Sequence, residues 1–455
     1  MRLENLKKLY FLGIGGIGMS ALARYFNSRG IEIHGYDKTQ TPLTDQLTAE
    51  GMTIHYNEEV AKIPEGIDLV VYTPAVPKNH KEYQYFDTKR TPIKKRAEVL
   101  GIISRSQRTI AIAGTHGKTT TTTILTHLLK EGGIDCTGFL GGIAQNYGSN
   151  YVEGKSDWVV IEADEYDRSF LHLTPEIAVI LSMDADHLDI YGSQEEMLET
   201  GFKEFVKNVK ADGTIIVQDE LAQLFDNQEI ETYGIKDGDF RAERVGVVDG
   251  GFHFDFVQGR KSHYLTKVDS DFWTPLPGRH NVENTLAAMA IATKLGVSTV
   301  DLRKGLRTFK GIKRRFEFIL REENLVFIND YAHHPTELTA AISAAKELFP
   351  NRKITGIFQP HLYSRTRDFQ EEFAHALDLL NECLLMDIYP AREEPIGGVD
   401  SGIVFEKMTL EAKELVTKET LMNVLKNKEI EVLIMLGAGD IVDFIEPIKQ
   451  FLVEK

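Results

Sequence analysis

The chain has 455 residues and only two cysteines, Cys136 and Cys383. That excludes a disulfide framework and makes the cytosol its natural compartment. It also has no run of about 18 apolar residues, so no membrane-spanning helix is expected. The first residues lack the basic, apolar and cleavage-site order of a signal peptide. Positive charge is scarce too: 52 Lys and Arg face 68 Asp and Glu, a formal net charge of −16. A broad nucleic-acid footprint is therefore not expected, and any polyanionic ligand must be met by locally placed cations. Internal repeats and low-complexity segments are absent. What remains is 42% hydrophobic and 26% charged, ordinary for a globular protein, and long enough for about three domains.

The stretch Gly114-Thr115-His116-Gly117-Lys118-Thr119-Thr120-Thr121-Thr122 organises the rest. It follows the β-branched run Arg108–Ile112 and leads into a helical pattern, Thr123–Leu129. Strand, glycine loop and helix in that order suit a phosphate chain. Glycines let the backbone come close, helix N–H groups point at the anion, Lys118 adds charge and Thr119 offers a hydroxyl to Mg²⁺. The full pattern asks for Gly at position 112, where Ile112 stands, so this is a shortened phosphate loop.

Upstream, Leu9–Leu12 reads as a strand running into Gly13-Ile14-Gly15-Gly16-Ile17-Gly18 and the helical Met19-Ser20-Ala21. The next strand, Ile31–Tyr36, ends in Asp37, where a ribose-binding acid would sit. Taken alone this says dinucleotide, although the same loop can hold any pyrophosphate. A third strand, Ile67–Tyr72, ends in Thr73-Pro74-Ala75. Downstream, Gly138–Gly142 reads as a glycine-rich loop. The strand Trp158–Ile161 ends in Glu162-Ala163-Asp164-Glu165, and Ile177–Leu181 ends before Asp184-Ala185-Asp186-His187. Acid-rich strand ends beside a phosphate loop suit Mg²⁺ or Mn²⁺. A period-two segment, Val247–Phe256, predicts a hairpin.

Pro277-Gly278-Arg279-His280-Asn281-Val282-Glu283-Asn284 introduces an Ala-rich helix. Asn281 and Asn284 share a face, and the spacing leaves open whether they read a base edge or serve as a cap and a surface residue. After a junction at Arg314-Arg315-Phe316-Glu317, four apolar runs read as strands with polar motifs at their ends, chiefly Asp330–Pro335 and Gln359–Arg367. Such ends are where ligands bind in doubly wound sheets.

Taken together, GIGGIGMS from Gly13, GTHGKTTTT from Gly114, EADEYDRSFLHL from Glu162, DADHLDIYG from Asp184, GRHNVEN from Gly278, RRFE from Arg314, DYAHHPTE from Asp330 and FQPHLYSRTRD from Phe358 resemble the Mur ligases of peptidoglycan synthesis. The resemblance spans nearly the whole chain in the family's order. It implies an α/β protein of three domains, each on a mostly parallel sheet. These are a Rossmann-like UDP-sugar domain at 1–107, a central P-loop ATP domain with a β-hairpin decoration at 108–312, and a Rossmann-like amino-acid domain at 313–455.

The same resemblance implies the site. Gly15, Gly16, Ile17, Gly18, Met19, Ser20, Asp37, Thr73, Pro74 and Ala75 would bind the UDP-sugar. Gly114, Thr115, His116, Gly117, Lys118, Thr119, Thr120, His280, Asn281, Asn284, Arg315 and Asp330 would bind ATP. Thr119, Glu162 and His187 would hold Mg²⁺ (or Mn²⁺), and Tyr331, His333, His361 and Arg365 would form the amino-acid pocket. Lys118, Glu162, His187, His333 and Arg365 would carry the catalysis. The implied substrates are UDP-N-acetylmuramate, L-alanine and ATP, in a monomer or homodimer. A recycling ligase that adds a tripeptide is the alternative, disfavoured because FQPHLYSRT stands where that ligase has an EPRSNTM-type motif. A nicotinamide oxidoreductase would leave the phosphate loop and Arg315 without a task, and a nucleotide switch would explain that loop alone. Ser182-Met183 replaces the Thr-Asn of many relatives. Lys203 lies near the place of a modified lysine in related ligases, and no modification is assigned to it.

Overall fold

A computed structural model describes residues 3–184, 191–225, 229–259, 266–391 and 393–454. His187 lies outside them. The chain divides into two compact units, one of residues 1–242, 256–269 and 283–309, the other of 243–255, 270–282 and 310–455.

The first unit begins with a parallel sheet of β1 (Lys8–Leu12), β2 (Glu32–Tyr36), β3 (Thr53–His55), β4 (Leu69–Tyr72) and β5 (Ile93–Lys95), in the order β3-β2-β1-β4-β5. Leu9, Tyr10, Phe11 and Leu12 are wholly buried, as a strand covered on both faces requires. The strand order reverses between β1 and β4. The crevice at that switch point collects Gly13–Gly18, which leads into helix α1 (Ile17–Asn27), and Thr73–Ala75 after β4.

A second sheet is built on β6 (Arg108–Ala113), β7 (Thr137–Ala144), β8 (Ser149–Val152), β9 (Trp158–Ala163), β10 (Ile177–Ile180), β11 (Thr214–Gln218) and β12 (Glu231–Gly234). The hairpin strands β13 (Phe240–Val248) and β14 (Gly251–Gln258), with β15 (Lys267–Thr274), extend its edge. The order is β15-β14-β13-β12-β11-β10-β6-β9-β7-β8. β6 lies between β10 and β9, parallel to both, so the loops after β6, β9 and β10 leave from adjacent places on one edge. Gly138–Gly142, expected as a loop, lies instead inside β7, paired with β8 and β9. Its glycines mark close approach rather than a turn: a Cβ on Gly141 would sit 2.0 Å from Glu162 Oε2.

The helix after the phosphate loop spans Lys118–Glu131 and contains Thr119 to Thr123 and Thr126, all buried. Three of their hydroxyls are satisfied inside the helix. Thr122 donates to Lys118 O, Thr123 to Thr119 O and Thr126 to Thr122 O, at 2.7 to 2.8 Å.

The second unit contains β16 (Glu317–Arg321), β17 (Val326–Asp330), β18 (Ile354–Phe358), β19 (Glu382–Met386), β20 (Lys413–Val416) and β21 (Val432–Leu436), ordered β16-β17-β21-β18-β19-β20. All pairs are parallel except β16 with β17. Four of the six are the expected apolar runs. The two edge strands, β16 and β20, are only partly buried and carry Glu, Arg and Lys, the composition that blunts a sheet edge and hides a strand from a search for apolar runs. β17 and β18 flank β21, so their polar ends face one crevice.

Candidate active site

The phosphate loop closes through Gly117, whose φ of +81° is a left-handed conformation natural only to glycine. The N-cap residue Gly117 has no side chain to cap the helix that follows, a helix start of the kind that suits an anion. Asn284 packs on this loop. A Cβ on Gly117 would lie 2.3 Å from Asn284 Oδ1, and Thr121 Oγ1 donates to that oxygen at 3.3 Å. Asn281 makes a local contact at its own helix start, Nδ2 donating to Pro277 O at 2.6 Å. The His280 ring lies against Gly278.

Ser182 ties the loop down from the end of β10. It accepts from His116 N at 2.8 Å, shares a hydrogen bond with Thr115 Oγ1 at 3.0 Å, and its carbonyl accepts from Thr115 N at 3.2 Å. Thr115 Oγ1 accepts from Asp184 N at 3.0 Å, and His116 Nε2 stands 3.0 Å from Asp184 Oδ2. The serine hydroxyl does what this contact needs, whatever relatives carry there.

Lys118 Nζ curls back to Gly114 O and Thr115 O and meets Glu165 at 2.9 and 2.7 Å. Glu165 is fully buried, and Tyr191 OH donates to its carbonyl at 2.8 Å. Burial pushes the Glu165 carboxyl up to about 7 against the pull of Lys118, while Asp164 raises it further. Burial alone would lower Lys118, but the facing carboxylates of Glu165, Asp164 and Glu162 hold it above the usual lysine range. The carboxylates of Glu165, Asp164 and Glu162 thus share Lys118 as a common cation, with Arg96 beside Asp164, and oxygen donors of this kind suit a divalent cation.

Among the described residues no group of three or more His, Cys, Asp and Glu stands as a ready metal cage. Mg²⁺ is commonly held by one or two carboxylates with substrate phosphates and water, and the oxygens of Glu162 and Thr119 are of that type. Glu162 pairs in register with Ile112, and Thr119 opens the helix after the same central strand.

The glycine fingerprint of the first sheet has a similar form. Asp37 accepts from Gly15 N at 2.8 Å and Thr39 N at 3.2 Å, bracing the loop. α1 starts at Ile17 after the N-cap Gly16, which has no side chain to cap it, again a helix start that suits an anion. Thr73 lines the crevice, while Pro74 and Ala75 are exposed. A cavity of about 280 Å³ is lined by Gly16, Gly18, Thr73, Arg96, Glu162 and Asp164, among others. Arg96 lies over Gly18, 3.7 Å from Asp164 Oδ2. The sequence reading missed Arg96, although its place at the end of β5, a strand of the same sheet, could have signalled it.

In the second unit Asp330 is half-buried and accepts from Phe316 N at 2.6 Å and Ala332 N at 2.7 Å. Burial pushes its carboxyl up to about 6, opposed by Arg315. The Arg314 and Arg315 guanidinium carbons stand 4.6 and 5.2 Å from the Tyr331 ring centre. His333 and His361 rings are 5.7 Å apart, and His361 is 5.7 Å from Tyr389. His333 Nδ1 is held by Tyr331 O at 3.0 Å and Glu337 Oε2 at 3.1 Å. Arg365 is buried. Two strand ends thus bring Tyr331, His333 and His361 together. The structure adds Glu337, one helical turn after His333, which the sequence reading did not single out. Lys203 makes an exposed ion pair with Glu199.

Comparison with known proteins follows the same division. The Mur ligase family catalytic domain matches residues 8–108, the Mur ligase middle domain 112–292, and the Mur ligase glutamate ligase domain 314–442. A UDP-N-acetylmuramate–L-alanine ligase of Parabacteroides distasonis is 48% identical over 465 residues, covering 100% of this chain and 99% of the relative. The chain belongs to the Mur ligase family. Among solved structures, this Mur ligase is similar to a UDP-N-acetylmuramate-alanine ligase from Thermotoga maritima, with a TM-score of 0.82 and 30% identity, covering 98% of this chain and 100% of the other. A murein peptide ligase from Psychrobacter arcticus shares the fold at a TM-score of 0.69 and 24% identity, covering 98% of both chains.

Proposed function

We propose that this Mur ligase joins L-alanine to the carboxylate of UDP-N-acetylmuramate, using ATP, in the cytoplasmic synthesis of peptidoglycan precursors. It would act as a monomer or homodimer with domains at 1–107, 108–312 and 313–455. No described helix is long and apolar enough to cross a membrane. The observation that carries the reading is the shared cavity: the fingerprint glycines Gly16 and Gly18 and the carboxylate of Glu162 line one space. A sugar nucleotide held at the first by its diphosphate extends its reactive end toward the second.

A carboxylate is a poor electrophile. Transfer of the γ-phosphoryl group of ATP to the muramic carboxylate, with ADP leaving, gives an acyl phosphate. The α-amino group of L-alanine then attacks the acyl carbon, and the tetrahedral intermediate expels phosphate to leave an amide. Phosphoryl transfer needs positioning and charge neutralisation more than covalent help. Gly114 to Thr120 would cradle the phosphates, with Lys118 turning from Glu165 to the transferring group. Thr119, Glu162 and His187 would hold Mg²⁺, which supplies charge neutralisation. His280, Asn281 and Asn284 would surround adenine, and Arg315 and Asp330 would reach the nucleotide.

The ammonium of L-alanine must lose a proton before it attacks. With Nδ1 of His333 engaged by Tyr331 O, Nε2 is the nitrogen left for that task. Arg365 presents a planar fork to the amino acid's carboxylate, and Tyr331 and His361 complete the pocket.

The test is phosphate release by the purified protein with ATP, UDP-N-acetylmuramate and a panel of amines. L-Alanine is expected to be used best, with glycine and L-serine behind it. Faster use of L-Ala-D-Glu-diaminopimelate would overturn this reading in favour of the recycling ligase.

A further inference from the structure

The ribbon of β7 and β8 touches both anchoring points of the first unit. On one side Gly141 of β7 lies under the Glu162 carboxylate. On the other, the ribbon packs on α1. The ring of Tyr25 on α1 stands 5.3 Å from Phe139 of β7 and 6.4 Å from Tyr151 of β8, and the last two are 5.7 Å apart. Between these rings and the start of α1 sits Asn150, a wholly buried side chain of β8.

Its amide reaches into the first turn of α1. Nδ2 donates to Ile17 O and, at 2.9 Å, to Ser20 Oγ; Oδ1 accepts from Arg24 Nη1. Arg24 is itself buried and forks onto Glu50 at 2.7 to 3.0 Å. These donors and acceptors fix which way the amide faces. Aromatic packing presses α1 onto the ribbon, and at the far end of the helix Tyr151 OH meets Ser28 Oγ and Arg29 Nη1 at 3.3 and 3.4 Å, more than two turns from the fingerprint. At the fingerprint end the directional contact is the Asn150 amide with its three polar partners.

We infer that Asn150 is a positioning residue: it fixes the fingerprint turn Ile17–Ser20 relative to Glu162 and the phosphate loop. The distance from the diphosphate anchor to the phosphoryl-transfer site then depends on it. The inference rests on the ligase reading for the identity of the two anchored groups. Asn150 itself meets neither. A misplacement of about 1 Å between two otherwise intact sites costs on the order of a hundredfold in rate.

Two variants separate this role from plain structural support. Asn150→Ala removes all three contacts. Asn150→Asp keeps an acceptor for Arg24, its new charge facing that guanidinium, and loses the donor to Ile17 O and Ser20 Oγ. Expected for Asn150→Asp is a kcat lowered about tenfold or more. Affinities for uridine diphosphate and for a non-hydrolysable ATP analogue, each measured alone, change less than threefold. Amide exchange at residues 17–20 is faster. Asn150→Ala shows the same pattern more strongly. A kcat for Asn150→Asp within threefold of the parent overturns the inference, as does uridine diphosphate affinity falling in step with kcat. If the parent itself releases no phosphate with UDP-N-acetylmuramate and L-alanine, the proposed function fails. Amide exchange in the same samples still decides the role of Asn150, and unchanged exchange at 17–20 overturns it.

Discussion

Lys118 Nζ stands 2.7 Å from Glu165 Oε2, with the carboxylate wholly buried and the lysine only 12% exposed. The phosphate-binding cation is thus held by an internal anion. Lys118→Ala should lower ligation about 10²–10³-fold, as loss of one charge-stabilising group does. It should also change how stability depends on pH. Glu165 ionises at about 7 in the folded chain against 4.5 in the open one. Between those values the folded state binds more protons, so this group makes stability fall as pH rises. Removing Lys118 removes the pull that limits the effect. Melting temperatures at pH 5.5 and 8 should diverge more in Lys118→Ala than in the parent; equal divergence would contradict the coupling.

Gly141→Ala tests the closeness of β7 to Glu162. The added methyl would meet the carboxylate at 2.0 Å, and the side chain must swing aside. Half-saturation by Mg²⁺ should rise severalfold or more at nearly unchanged melting temperature. An unaltered Mg²⁺ dependence would remove Glu162 from the proposed metal site.

Asp330, itself half-buried, accepts from the backbone N–H groups of the buried residues Phe316 and Ala332. Asp330→Ala leaves both without that acceptor, at about 1–3 kcal/mol each, whereas Asp330→Asn keeps one oxygen. Urea unfolding should rank the parent, Asn and Ala in falling stability, with Ala at least about 2 kcal/mol below the parent. An Ala variant as stable as the Asn variant would show that the turn is held by other means.

Arg365→Lys keeps the charge and loses the fork. The KM for L-alanine should rise tenfold or more, with the KM for ATP within threefold. Parallel rises in both would place Arg365 outside the amino-acid pocket.

The glycine loops and the polar ends of buried strands were legible in the sequence because each is a local pattern. A continuous apolar run marks a parallel strand, and the residues after it mark the crevice. β7 was misread because glycine signals a loop locally, whereas here it serves contact with Glu162 and pairing with two strands. β16 and β20 were missed because their apolar stretches, Phe318–Leu320 and Leu415–Val416, are short and flanked by charge. Glu165, Ser182, Glu337, Arg96 and Asn150 acquire their roles from partners brought together by the fold. Ser182, for example, reaches Thr115 and His116 only because β10 lies beside β6.

The threonines of the helix Lys118–Glu131 bear on the order of assembly. A run of β-branched residues is a poor helix former on its own, because each loses side-chain freedom against the preceding turn. Such a segment gains little from starting early and becomes helical when the strands beside it supply an apolar wall. The nucleotide loop at its head therefore draws its order from β6, β9 and β10 rather than from the helix's own propensity.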